Sequence, residues 1–400
     1  MRGAAVSGVK PGVLFAVAVR STRLEGILDR ETLGAETLEI SMPHLSDADI
    51  DSLINVLDME NRLGVLKGLS HADRVSAFQK EAGRQLLVAM IQATSGRLFR
   101  EKVLEEFQEL SPLQRQIYAT LCLVSSQRWT MDRQEIILAC GSLGNEMLDA
   151  VESLARRNVI TRRDIHSNYG ARHRVIADEI VHAMEFRQYM ATVLEGVCFA
   201  FASGVNSGLP RSNRQWRRLI RFLNHQFILQ VATPDVGRHV YENVEKILHW
   251  DYHYWLQRAS LEVEQGDLNL ATNFLDQARS ISPGERLIET EYAYLLIKRA
   301  SKSPEHGNAE EWFAEGRKYL EELIAQTGSR DSYPYHVLGS QGLAWARQAK
   351  IPVLEKRELL KELMEIVKSG VSFHPRSEDL PTLAKDLEKE WLLTAVVQPE

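Results

Sequence analysis

The apolar positions of this chain keep two spacings, and the change between them divides it. Val13 to Val19 form one continuous, β-branched-rich run that ends at Arg20, and Leu38 to Ser41 form a second short run. Both read as short buried strands. From Ser46 onward the apolar positions recur at helical spacing. Ile50, Leu53, Ile54 and Leu57 make one stripe, Ser46 stands at the N-cap, and Asp47 and Asp49 occupy the first turn, where carboxylates complement the helix dipole. Further helices are predicted from near Arg84 and over 99–110. Strands and helices in alternation, then helices alone, predict the tail of an α/β domain running into a helical lid.

Residues 111–185 change the pattern again. Ser111-Pro112 gives an N-cap followed by proline at the first helical position, opening a helix over 113–124. Met131 to Cys140 reads as a second helix stopped by Gly141. Leu143 to Asn158 reads as a third, with Met147, Leu148, Val151, Leu154 and Ala155 facing inward. Two short strands are then expected, Val159–Thr161 and Arg172–Ile176, joined by a wing containing Asn168-Tyr169-Gly170. Three helices and a hairpin in this order predict a winged helix, with His173 between Arg172 and Arg174 on its last strand.

Beyond Val175 the pattern is almost entirely helical. In the stretch 212–223, Trp216, Leu219, Ile220 and Leu223 share one face, and Arg214, Arg217, Arg218 and Arg221 share the adjoining one. An exposed basic face is the plain expectation there. Farther on, Trp255, Ala259, Gly266, Ala271, Leu275, Ala278 and Pro283 fall at tetratricopeptide (TPR) spacing, with small residues where paired helices approach closely. A second unit over 285–327 keeps Ala293, Leu296, Gly316 and Leu320 around an insertion at 301–308. A third, from Asp331, carries Tyr335, Leu338, Gly339, Gly342 and Pro375. The lysine-bearing helix over 380–393 reads as a solvating cap.

Composition narrows the function classes. At 400 residues, 44% hydrophobic and 26% charged, the chain has room for several cored domains. A net charge of −6 argues against a chain built to coat nucleic acid. Its three cysteines, Cys122, Cys140 and Cys198, lie far apart in apolar stretches, which predicts buried thiols in a reducing cytoplasm. Lys10 before the run Val13–Val19 also suits a short signal peptide. Arg20 directly after the run and its β-branched content favour the strand. No stretch is apolar for long enough to span a bilayer, so no membrane partner is expected.

The order arginine-ended strand, lid, winged helix with histidine, then repeats resembles the second half of prokaryotic STAND-type signalling NTPases (NACHT and NB-ARC relatives), including those of bacterial anti-phage defence. The resemblance implies a mainly α chain: a small α/β remnant of a P-loop NTPase domain over 1–45, a helical lid over 46–110, a winged helix over 111–185, a helical linker over 186–250 and a TPR-like α-superhelix over 251–400. It implies nucleotide contacts at Arg20, as a first sensor, at His173, and at Gly83, which opens the lid helix. In the family a proline follows two residues after that glycine; here Gln85 stands in its place. It also implies an ATP/ADP-dependent switch, a protein or peptide trigger on the repeats, an upstream NTPase or effector portion, and homo-oligomer formation.

The departures from that family are as informative as the matches. No GxxxxGK[ST] turn exists to cradle phosphates, and no hydrophobic strand ending in paired acids precedes Arg20 to hold magnesium. The chain is therefore not expected to hydrolyse ATP alone, and ATP or ADP would bind only with a missing N-terminal half. His44, His71, His166 and His182 lack HExxH or paired-ligand spacing, and no GxSxG elbow occurs. Asp178-Glu179 with His182 reads as a solvated ion pair on one helix face. Arg156, Arg157, Arg162 and Arg163 stand where a DNA-reading winged helix carries charge, which keeps a transcriptional regulator with sensor repeats as the alternative. The acidic balance favours the switch over nucleic acid.

Overall fold

Ser46 caps the first helix among the described residues, as its spacing predicts. Its hydroxyl accepts from the Asp49 N–H and the Asp49 carboxylate accepts from the Ser46 N–H, a reciprocal capping box that opens α1 (Asp47–Met59). Ile50, Ile54 and Leu57 are its buried face. The computed structural model describes residues 45–81, 99–141, 145–162, 168–183, 187–327, 330–375 and 377–396. Arg20, Gly83 and Arg163, the two early strands and the helix expected from Arg84 lie outside the described residues. Two compact units divide the chain, Met1–Lys102 and Val103–Glu400. In the first, α1 packs on α2 (His71–Ser76), and Arg74 donates to the Leu66 carbonyl at 2.8 Å.

α3 (Phe99–Gln108) leads into the second unit. There α4 (Pro112–Ser126), α5 (Arg133–Cys140) and α6 (Asn145–Arg156) are followed by an antiparallel pair, β1 (Ile160–Arg162) and β2 (Tyr169–Ala171). The register sets Ile160 opposite Ala171 and Arg162 opposite Tyr169. Ser111 and Pro112 start α4, and Gly141, at φ 64°, ends α5 in the left-handed region that glycine tolerates.

The second strand is corrected. It lies at Tyr169–Ala171 rather than Arg172–Ile176, because the Tyr169 backbone exchanges both hydrogen bonds with Met131 (3.1 and 2.7 Å). Its buried ring also aims the hydroxyl at Glu152 and Arg133. The chain then turns at His173, and α7 (Arg174–His182) begins where a strand was expected.

α8 (Arg187–Ala202) packs on α4, α5 and α11, and it crosses α5 so closely that a Cβ on Gly196 would lie 2.0 Å from the Ala139 carbonyl oxygen. α9 (Arg214–Leu223), α10 (His225–Val231) and α11 (Pro234–Leu248) come next. Three helix pairs follow: α12 (Tyr252–Gln265) with α13 (Leu268–Ile281), α14 (Arg286–Lys302) with α15 (Ala309–Thr327), and α16 (Tyr333–Gln348) with α17 (Val353–Phe373). The small residues named from the TPR pattern do what that pattern requires. Ala271 and Ala278 are fully buried, and Gly316 and Gly342 let neighbouring helices close to contact. The chain is thus mainly α, a TPR-like succession of paired helices behind one small sheet among the described residues. The last helix, α18 (Asp379–Val396), is less polar than a solvating cap, since it buries Leu380, Leu383 and Leu387 and exposes Leu392 and Leu393.

Candidate functional site

α9 was expected to show its arginines to solvent; instead it spends three of them on one segment, Gln127–Glu135. Trp216, Leu219, Phe222 and Leu223 bury the apolar face, which turns the adjoining basic face onto the loop between α4 and α5. Arg218 is 7% exposed. Its guanidinium makes a two-pronged pair with Glu135 (one prong 3.0 Å), donates to the Thr130 carbonyl at 3.3 Å, and lies 4.2 Å over the Phe201 ring. Arg214 reaches the Thr130 hydroxyl at 3.4 Å and lies over Trp129, and Arg221 donates to Oε1 of the Gln127 side chain at 2.8 Å. Buried charges persist only when paired in this way.

The same segment faces the hairpin and α7 on its other side. Met131 pairs with Tyr169, as above, and Ser125, just before the segment, accepts from the Ala171 N–H at 2.9 Å. Arg128 sits at φ 66°, an uncommon left-handed position for a non-glycine residue. It is among the cations around Asp178 of α7. Burial raises the Asp178 carboxyl above its ordinary range, against the opposing pull of Arg174, His182, Arg128 and His173. Residues 127–135 thereby touch α9 on one side and the surroundings of His173 on the other.

His173 itself is exposed and caps α7, its Nδ1 accepting from the Val175 N–H at 3.3 Å. Arg172 pairs with Glu106 of α3, and Arg174 with Asp178 at 3.3 Å. His182 contacts the Asp178 carbonyl at 2.6 Å rather than a carboxylate. Arg156, Arg157 and Arg162 are exposed at the end of α6 and on β1, but the outward face of α6 also carries Glu146 and Asp149. That acidic face repels a phosphate backbone, so it weighs against α6 as a DNA reader.

A second polar cluster lies where α10 meets α12 and α14. His225, 9% exposed, contacts Gln257 Oε1 through Nδ1 at 3.0 Å and Glu264 Oε1 through Nε2 at 3.1 Å. Burial opposes the charge on His225, but the bonds to Glu264 and Gln257 and the nearby carboxylates hold its pKa above the ordinary value. The bond from His225 lowers that of Glu264. Glu291 of α14 is buried beside them; burial raises its carboxyl, while Ser260 and the Tyr333 hydroxyl (3.4 Å) bond to it.

Other features are compensated or inert. Arg238, Asn269, Arg299 and Lys302 border a recess of about 580 Å³ beside Trp312. Arg238 is already clasped by Glu262 and Asp235, and Arg299 by the Leu268 carbonyl, Asn269 and Thr272. Burial raises all three thiols, Cys140 to about 11, so they are not nucleophiles at neutral pH. Among the described residues no group of histidine, cysteine and carboxylate side chains is arranged to hold a metal ion, and no helix is long and apolar enough to cross a membrane.

Glu135, Arg128, His225, Glu264 and Glu291 escaped the sequence reading. The spacing of Asp132 and Glu135 signals only a capping box, and each of the other residues finds its partner from a distant part of the chain.

No family model and no curated protein matches the chain. Among solved structures it is similar to the Signal Transduction ATPase with Numerous Domains (STAND) protein with a tetratricopeptide repeat sensor from Pyrococcus horikoshii, at 13% identity and a TM-score of 0.26. The match covers 92% of this chain and 56% of that protein, so the chain spans little more than half of its length.

Proposed function

We propose that this chain is the regulatory and sensor portion of a STAND-type signalling NTPase. Residues 111–185 are its winged-helix switch, and the helix pairs from α12 onward are the surface that takes a protein or peptide trigger. The observation that supports this reading is the segment Gln127–Glu135, gripped by the arginines of α9 and set against the hairpin and α7. A displacement of the repeats and linker reaches His173 through it. His173 stands at the start of α7 beside Arg172 and Arg174, which Glu106 and Asp178 hold in this structure and which a nucleoside diphosphate would take over from those carboxylates.

In this reading Arg20 and Gly83 complete the contacts to nucleotide, and the phosphate loop and magnesium site come from an NTPase portion that this chain does not encode. Phosphoryl transfer therefore belongs to the assembled protein, with a place in antiviral defence as one setting for it. Exchanging His173 for serine keeps an oxygen acceptor at the N-cap of α7 and removes the imidazole. ADP titrated into the chain assembled with its P-loop-bearing portion should bind at least about tenfold more weakly to His173→Ser, the loss of roughly one charge-assisted hydrogen bond. Equal affinity would remove the clamp and leave His173 as a helix cap.

A further inference from the structure

At the joint between α10 and α12 both ring nitrogens of one histidine face hydrogen-bond acceptors. Gln257 Oε1 lies 3.0 Å from the backbone nitrogen of His225, and a backbone N–H only donates, so the side-chain atom facing it is the amide oxygen. That oxygen only accepts. It also lies 3.0 Å from His225 Nδ1, which must therefore carry a proton. On the other side Nε2 meets a Glu264 carboxylate oxygen at 3.1 Å, and an ionised carboxylate also only accepts. With Glu264 ionised, both contacts are hydrogen bonds only when both ring nitrogens carry protons, that is, when the ring is an imidazolium.

A cation at this place is held against two opposing effects. His225 is 9% exposed and opens α10, where the helix dipole disfavours positive charge. What offsets these costs comes from α12 and α14: Glu264 directly, and Glu291 through its charge. Lys298 of α14 lies near Glu264, and Tyr333 of α16 donates to Glu291. His253 of α12 is pushed down to about 4 by burial and stays neutral. From α9, Arg221 is engaged with Gln127 and the Phe227 ring; from α11, Arg238 is engaged with Glu262 and Asp235.

We propose that His225 is a proton-operated latch between the linker and the first repeat, closed while Gln257 and Glu264 both accept from the ring and opened when the ring loses a proton. A neutral imidazole keeps one N–H and turns a lone pair toward the other acceptor, so one of the two contacts becomes repulsive. The latch goes beyond the nucleotide-switch reading and stands whether or not that reading holds. Its working range follows from the two shifts. The raised His225 value makes the contribution full below the ordinary value of 6.5 and lost as pH climbs through the folded value. The lowered Glu264 value makes the contribution full above 4.5 and lost as pH falls through the folded value. The latch is shut between those limits.

Side-chain ¹H–¹⁵N spectra of the histidines across pH 5–9 test it, with hydrogen exchange of the α10 amides followed over the same range. The expected result is two protonated ring nitrogens on His225 at pH 6.5 and a midpoint above 6.5. Glu264→Gln should lower that midpoint by about one unit, the usual effect of removing an adjacent opposite charge. Exchange in α10 should quicken above the wild-type midpoint, beyond the base-catalysed rise in intrinsic rate, and this extra step should vanish in His225→Gln. A single protonated nitrogen at pH 6, or a midpoint that ignores Glu264→Gln, would overturn the latch. So would identical exchange profiles in the two proteins.

Discussion

Arg218 of α9 and Glu135 of α5, eighty-three positions apart, share a two-pronged ion pair in which both side chains are largely shielded from water, at 8% and 14% exposure. Burying two charges is costly, and their mutual attraction with the added bond to Thr130 offsets that cost without a large surplus. Removing one partner is therefore worse than removing both. Glu135→Ala should destabilise the protein by about 3–5 kcal/mol, because it strands a buried guanidinium. The pair Arg218→Met with Glu135→Leu should cost clearly less. Urea unfolding of the three proteins checks the order, and equal losses in single and double variants would show that the pair is not coupled.

Close helix crossings give a second prediction. A Cβ on Gly196 or Gly316 would meet backbone, the Ala139 oxygen at 2.0 Å and the Ala293 oxygen at 2.8 Å, and backbone cannot swing aside as a side chain can. Each change to alanine should cost about 1–3 kcal/mol or more by overpacking. Gly307→Ala, with nothing within 4 Å, should stay within about 0.5 kcal/mol of wild type in the same denaturation assay.

How much of this was legible in the sequence depends on how far each residue's partner lies along the chain. Ser46, Ser111 and Gly141 act on neighbours within one turn, so their caps could be read directly. Trp255, Ala271 and Gly316 obey a repeat whose period carries the packing. His173 was placed on a strand because Tyr169-Gly170 resembles a turn, but the backbone of Tyr169 pairs with Met131, far upstream, and this pulls the strand earlier. The arginines of α9 looked like a solvated face for the same reason: nothing within the helix announces Glu135. The cluster of His225, Glu264 and Glu291 gathers three helices and leaves no local signature.

Glu291 supplies a pH prediction with a definite sign. Burial raises its folded pKa above 4.5, so its contribution to stability is full below the unfolded value and is lost as pH rises through the folded one. Glu291→Gln keeps an oxygen to accept from Tyr333 and removes the titration. The variant should be more stable than wild type at pH 7, and the advantage should fade as the pH approaches 4. Thermal melts at both values read it, and a constant difference would contradict the assignment.

The DNA-reading alternative makes its own prediction through α6. With Glu146 and Asp149 on the outward face, Arg156→Glu and Arg157→Glu should leave any weak retention of duplex DNA in gel-shift assays unchanged at physiological salt. A loss of sequence-selective retention would restore that alternative.

Amide hydrogen exchange of the Arg218→Met/Glu135→Leu protein tests whether Gln127–Glu135 carries a displacement from α9 to the start of α7. Arg128 and its neighbours should transmit the loss, so the amides of 174–178 should exchange faster than in wild type although the substitutions lie in α5 and α9. If the change stays within α9 and 127–135, and the first turn of α7 keeps its wild-type protection, the segment is an anchor and transmits nothing.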